Sequence, residues 1–171
     1  VSEVTLRYRI DGGGERTEVM RDDGATPDRL AEDKLWTARI GPFANDSVVS
    51  FHIDADDGDT PGVVTDAPGP GRNYLFAVDN SSGPDNLHRS YRVIMTDANW
   101  DELASRDVDS DVLLDATFIG DRGEIFYNVG VRYRGSSSRY SNPKSYRVNF
   151  PDANRFNGIR KLNLNRHHPD D

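Results

Sequence analysis

Residues 124–134 read EIFYNVGVRYR, residues 145–150 SYRVNF and residues 161–165 KLNLN, and these three runs decide the fold class. Each is rich in Val, Ile, Leu, Tyr or Phe and alternates apolar with polar positions, the period-2 pattern of half-buried strands. Working outward, VLLDATFI (112–119) is a further strand, and Gly120-Asp121-Arg122-Gly123 turns it back on residues 124–134 as a hairpin. YRVIM (91–95) predicts another strand. Asp97 stands where its carboxylate could cap a short helix over Asn99–Ala104 by accepting a first-turn N–H. The expectation is a predominantly antiparallel sheet with little helix.

The first 80 residues also read as short strands. In VTLRYRI (4–10), Val4, Leu6, Tyr8 and Ile10 alternate with Thr5, Arg7 and Arg9, and Asp11-Gly12-Gly13-Gly14 supplies a turn. Further strands are predicted at 18–21, 35–40, 47–55 and 73–78, with Gly41-Pro42 ending the third. Short strands joined by turn-rich connections predict a β-sandwich of the immunoglobulin or fibronectin type III kind. The polar stretch DNSSGPDN (79–86) reads as a linker, placing one domain at 1–83 and a second at 84–171.

Charge divides the chain the same way. The 171 residues carry a net charge of −8, with sixteen acidic and eight basic residues in Val1–Asn80 and 13 of each in Ser81–Asp171. Within 125–166, nine basic side chains face one acid, Asp152. There is no Cys, which excludes disulfides, thiolate nucleophiles and Cys-ligated zinc within these residues. No apolar run approaches the ~20 residues of a transmembrane helix, so no membrane insertion is expected. The chain opens on Val1 rather than Met, which reads as an excised or processed piece.

The basic segment holds the candidate chemistry. Arg134-Gly135-Ser136-Ser137-Ser138-Arg139, followed by Pro143-Lys144-Ser145-Tyr146-Arg147, sets Gly and Ser between cationic groups. Small residues let backbone N–H groups approach a polyphosphate, the hydroxyls of Ser136 and Ser137 can donate, and Arg offers a fork matched to phosphate oxygens. The alternative is a solvated strand face whose Arg stems cover apolar neighbours. No Walker A loop is present. Elsewhere, DADDGD (54–59) has the carboxylates for calcium but not the spacing of a calcium loop, and reads as a solvated turn. His52 reads as a strand side chain, Trp36 and Trp100 as core anchors, and Asp107, Asp109 and Asp111 as solvated loop carboxylates. His167-His168 reads as a loop pair. The acidic balance and the lack of a known fingerprint argue against nucleic acid as a partner, although Tyr133, Tyr140 and Tyr146 stand among the cations.

NVGVRYRGSSSR (128–139), PKSYRVNF (143–150) and FNGIRKLNLN (156–165), in that order, resemble the opening of the CotH kinases, the spore-coat protein H-like atypical protein kinases. The resemblance covers roughly residues 91–171, and the first unit resembles, more loosely, the immunoglobulin-like modules that precede such domains. It implies a β-rich, kinase-like amino-terminal lobe over ATP and Mg²⁺, in an extracellular or cell-envelope protein that phosphorylates Ser or Thr on a Ser/Thr-rich protein substrate. Lys144 is similar to the family lysine near the ATP phosphates, with Arg134 and Arg139 bordering that site and Arg147 a further candidate. In the family, the carboxylates that hold the metal come from a later portion, so the resemblance implies no catalytic or metal-ligating residue in this stretch. The competing reading is a secreted or cell-surface pair of adhesion or glycan-binding modules without catalysis.

Overall fold

The structure, a computed structural model, describes residues 1–59, 64–79 and 91–165. The chain divides into two compact units, Val1–Asn80 and Ser81–Asp171. Most of the expected linker, with the boundary expected near residue 83, lies outside the described residues, as do His167 and His168. Both units are built on antiparallel sheets, and the protein is mainly β.

The first unit contains β1 (Glu3–Ile10), β2 (Arg16–Val19), β3 (Val48–Asp56), β4 (Val64–Ala67) and β5 (Tyr74–Ala77) in one sheet of order β2-β1-β3-β4. β3 carries β1 along one edge, while β4 and β5 share the other. The register puts Leu6 opposite Ile53, Phe51 between Tyr8 and Tyr74, and Val49 between Ile10 and Phe76 on one face. Phe43 packs over that face against Tyr8 and Phe76, with ring centroids 6.4 and 5.9 Å away. On the opposite face, Arg7 pairs with Asp54 at 2.6 Å and Arg9 with Glu15 at 3.0 Å. The alternation in VTLRYRI is thus realised as a dry face and an ion-paired face.

The strand expected at 35–40 is reduced to a single bridge, Arg21 to Thr37. Local carboxylates hold the chain in side-chain turns just before it. Buried Asp28 accepts from Gly24 at 2.6 Å and Arg29 at 2.7 Å, and Asp22 accepts from Asp33 and Lys34. Such side-chain turns compete directly with sheet pairing. The predicted second strand, at 18–21, lies two residues earlier, and β4 was not anticipated.

The second unit contains β6 (Arg92–Ile94), α1 (Asp97–Ser105), β7 (Leu114–Ile119), β8 (Ile125–Tyr133), β9 (Tyr146–Asn149) and β10 (Lys161–Leu164). The sheet order β10-β9-β8-β7-β6 is a meander, each strand lying beside its sequence neighbour. The cap of α1 is Thr96, one residue before the expected Asp97. Its hydroxyl accepts from the Asn99 N–H at 3.2 Å, and Asp97 falls in the first turn, where its charge favours the helix dipole.

Plain alternation in EIFYNVGVRYR would set Phe126 and Val129 on opposite faces, yet both are buried in one core. The ladder between β7 and β8 shifts register between Ala116 and Phe118, and Asn128 takes the left-handed region at φ 56°. This bulge inserts one residue and returns Val129 and Val131 to the face of Phe126. That core centres on Phe118, which is fully buried against Tyr91, Phe126, Phe150 and Phe156 at centroid distances of 5.2 to 6.2 Å. Trp100, from α1, packs on it edge-to-face with Tyr146.

Phe118→Ala should cost about 3–5 kcal/mol, because the ring cluster cannot collapse into the space left. Chemical denaturation followed by Trp fluorescence measures the shift. A cost under about 1 kcal/mol would mean that this cluster does not organise the unit.

Candidate functional site

The site lies at the ends of β8 and β9, where residues 134–145 join them and meet residues 106–113. Register divides the expected cations between two faces. Leu114, Val131, Val148 and Leu162 run in a row across the core side of the sheet. Arg132, Arg147 and Asn163 run in the corresponding row on the other side. Lys144 has the parity of Tyr146 and Val148, so it belongs to the core side. Its Nζ sits 5.3 Å from the Tyr133 ring centroid and donates to the Arg139 carbonyl at 2.6 Å.

Arg139 ties the two faces together. It is 8% exposed and sits in a 3₁₀ turn, Ser137–Tyr140. Its Nε donates to the Gly135 carbonyl at 2.5 Å and its Nη2 to Asp111 Oδ1 at 2.6 Å, while Nη1 lies 3.5 Å from the Val108 and Ser110 carbonyls. Arg132 Nη1 reaches the same Asp111 oxygen at 3.0 Å and also donates to the Tyr133 carbonyl at 2.8 Å. Asp111, expected to be solvated, is therefore the shared counter-ion of buried Arg139 and largely buried Arg132, although its own side chain is 70% exposed. Asp109 accepts from the Tyr140 hydroxyl, and Asp107 accepts from the Asp109 N–H. These bonds stitch the acidic loop to the basic one.

The remaining expected residues lie around this knot. Arg134 donates to Asn165, and Arg147 Nε to Asn163 at 3.1 Å. Ser136 and Ser137 are exposed on the turn. Gly135 is required by the turn itself: it has φ +107°, and a Cβ there would overlap Ser138 Oγ at 1.8 Å. Sequence reasoning missed Arg132, which it counted only as charge, and Arg106 at the C-cap of α1. Both terminal nitrogens of Arg106 are buried without a hydrogen-bond partner among the described residues. Only the crowding of Arg in RYRGSSSR could have pointed to Arg132.

Electrostatics follow the geometry. The hydrogen bond from Arg139, reinforced by the charges of Arg132 and Arg147, holds the Asp111 carboxyl below the usual carboxylate range. Burial lowers the affinity of Arg132 for its proton; the Asp111 carboxylate opposes that effect, and the neighbouring charges of Arg139, Arg147 and Arg106 add to it.

In the first unit, a pocket of ≈130 Å³ is lined by His52, Asp66, Gly69, Gly71, Arg72 and Asn73. His52 Nδ1 lies 3.0 Å from Asn73 Oδ1. In the acidic run 54–59, Asp54 pairs with Arg7, Asp56 accepts from the Gly58 N–H and Asp57 from the Asp59 N–H. Among the described residues, no three His, Asp or Glu side chains are grouped so as to hold a metal ion. Among them, no helix is long and apolar enough to cross a membrane. Compared with protein-family models, curated proteins and solved structures, the chain matches none.

Asp111→Asn should lower the unfolding midpoint at neutral pH, since buried Arg139 and largely buried Arg132 lose their anion. A depressed carboxyl stabilises the fold above its unfolded pKa of about 3.9, and that contribution is lost as pH falls through the lower folded value. The difference between wild type and Asp111→Asn should therefore shrink as pH falls below about 4. Thermal melts across pH measure it, and a gap that stays constant with pH would contradict the ion-pair role.

Proposed function

We propose that this chain is a piece of a CotH-like atypical protein kinase, an immunoglobulin- or fibronectin-like module followed by the amino-terminal part of the kinase lobe. The observation that carries the reading is the adjacency of the three motif segments: residues 128–139, 143–150 and 156–165 supply β8, β9 and β10, neighbours in one meander. Cations gather where the first two segments join, as a lobe that covers polyphosphate requires. For the first unit, the antiparallel order β2-β1-β3 supports the module assignment.

On this reading, the parent transfers phosphate from ATP, with Mg²⁺, to Ser or Thr on a Ser/Thr-rich envelope or coat protein, outside the cytoplasm. Lys144 neutralises phosphate charge, helped by Arg134, Arg139 and Arg147, and the Ser136 and Ser137 hydroxyls donate to phosphate oxygens. To do so, Lys144 exchanges its bond to the Arg139 carbonyl for a phosphate oxygen, a charge-assisted contact worth about 1.5–3 kcal/mol. The carboxylates of transfer belong to a further portion of the parent.

Calorimetry of the 171-residue chain with ATP tests this. Lys144→Ala should weaken binding roughly tenfold or more while leaving the unfolding midpoint within about 1 kcal/mol. ATP, Mg²⁺ and a Ser-rich acceptor should yield no phosphoprotein from these residues alone. No ATP binding by the wild-type chain, or phosphoprotein formation by it, would overturn the reading. A glycan-binding module is the second reading, favoured by the polar pocket at His52. Its ≈130 Å³ is below the roughly 300–1,000 Å³ usual for ligand sites.

A further inference from the structure

We propose that Arg132 and Arg139, with Arg147 and Arg106 beside them, form an oxyanion seat in which the Asp111 carboxylate is a displaceable resident, and that a phosphate- or sulfate-class anion competes for it. Arg132 and Arg147 of the seat share the face of the sheet opposite Lys144, and the proposal, although it draws on Arg139 and Arg147 as the kinase reading does, stands whether or not that reading does.

The cationic side of this contact is built and the anionic side is not. The Arg132 and Arg139 side chains are 12% and 9% exposed, whereas that of Asp111 is 70% exposed. One buried and one largely buried guanidinium group favour a nearby anion, because an uncompensated buried charge is strongly unfavourable. An exposed carboxylate on a loop gives up little on returning to water. Both Arg residues also converge on one oxygen, Oδ1, which leaves most of their N–H capacity unused by the carboxylate.

The surroundings hold charge that Asp111 does not neutralise. Arg147 faces Arg132 directly across β8 and β9, an arrangement that is repulsive unless an anion lies between or above the pair. Only its Nε is engaged, by Asn163, and its terminal nitrogens make no hydrogen bond among the described residues. Arg106 adds two buried terminal nitrogens without hydrogen-bond partners among the described residues. Three guanidinium groups, those of Arg139, Arg132 and Arg147, act on the one Asp111 carboxylate, and Arg106 adds its charge beside Arg132. A tetrahedral oxyanion supplies both the charge and the acceptor oxygens for bidentate contacts that a single Asp oxygen cannot give.

Orthophosphate is titrated into the wild-type chain and variants at constant ionic strength, with NaCl as the matched control. Binding is read by calorimetry and by the thermal midpoint. Wild type should bind weakly, and Asp111→Asn should bind at least tenfold more tightly and regain its lost midpoint as phosphate rises. Arg147→Gln and Arg106→Gln, each made in wild type and in Asp111→Asn, should weaken binding severalfold. Arg155→Gln, which removes an exposed cation paired with Asp152, should leave phosphate binding unchanged, which separates this seat from general attraction to the basic segment. An ATP arm distinguishes the sources of the anion: tighter binding of ATP than of orthophosphate to Asp111→Asn indicates a nucleotide phosphate, and equal binding a free anion. The proposal fails if phosphate raises the Asp111→Asn midpoint no more than matched NaCl does, or if Arg147→Gln leaves phosphate binding intact. Should Asp111→Asn not fold, loss of the phosphate response in Arg147→Gln against a wild-type background decides the same question.

Discussion

A guanidinium group removed from water must find acceptors, and in the second unit that requirement falls on Arg139. Its contacts with the Gly135 carbonyl and the Asp111 carboxylate, and its approach to the Val108 and Ser110 carbonyls, fix two loops that are distant in sequence. Its own carbonyl then receives Lys144. One desolvated charge therefore sets the position of the 3₁₀ turn, the acidic loop and the ammonium group together.

That arrangement gives the basic segment a specific physical character. Its cations are not a uniformly solvated face, nor are they all turned toward one ligand. Arg132 and Arg139 are committed to Asp111, Lys144 is stationed over Tyr133, and Arg147 and Arg106 keep unused donors. The sheet separates them by strand parity, so Lys144 and Arg147, three residues apart, belong to opposite faces. A ligand that engages both has to reach around the ends of β8 and β9, where Arg139 lies. The aromatic cluster around Phe118 keeps those strands in register on the other side, and the bulge at Asn128 keeps Val129 and Val131 within it.

The first unit shows the same competition between local and long-range bonding with the opposite outcome. β1 and β3 alternate cleanly, so their register is decided by which face is dry. Between them, Asp22 and Asp28 hold the chain in side-chain turns and leave only the Arg21–Thr37 bridge of an expected strand. Short carboxylates close to backbone N–H groups set the turns that lead into residues 35–40, whose own alternation of Trp36, Ala38 and Ile40 yields only that one bridge.

The sequence by itself determined the strands of the second unit, their antiparallel class and the charge of residues 125–166, because period-2 alternation and turn residues act locally. It also brought Lys144, Arg134, Arg139, Arg147, Ser136 and Ser137 to notice as residue types suited to phosphate. Tertiary structure alone decided which of these share a side of the sheet, since one bulged residue reverses the face of everything after it. It alone turned Asp111 from a loop carboxylate into the counter-ion of Arg132 and Arg139, since that pairing spans more than twenty residues and depends on desolvation. Burial converts a count of charges into a site, and burial is a property of the folded chain.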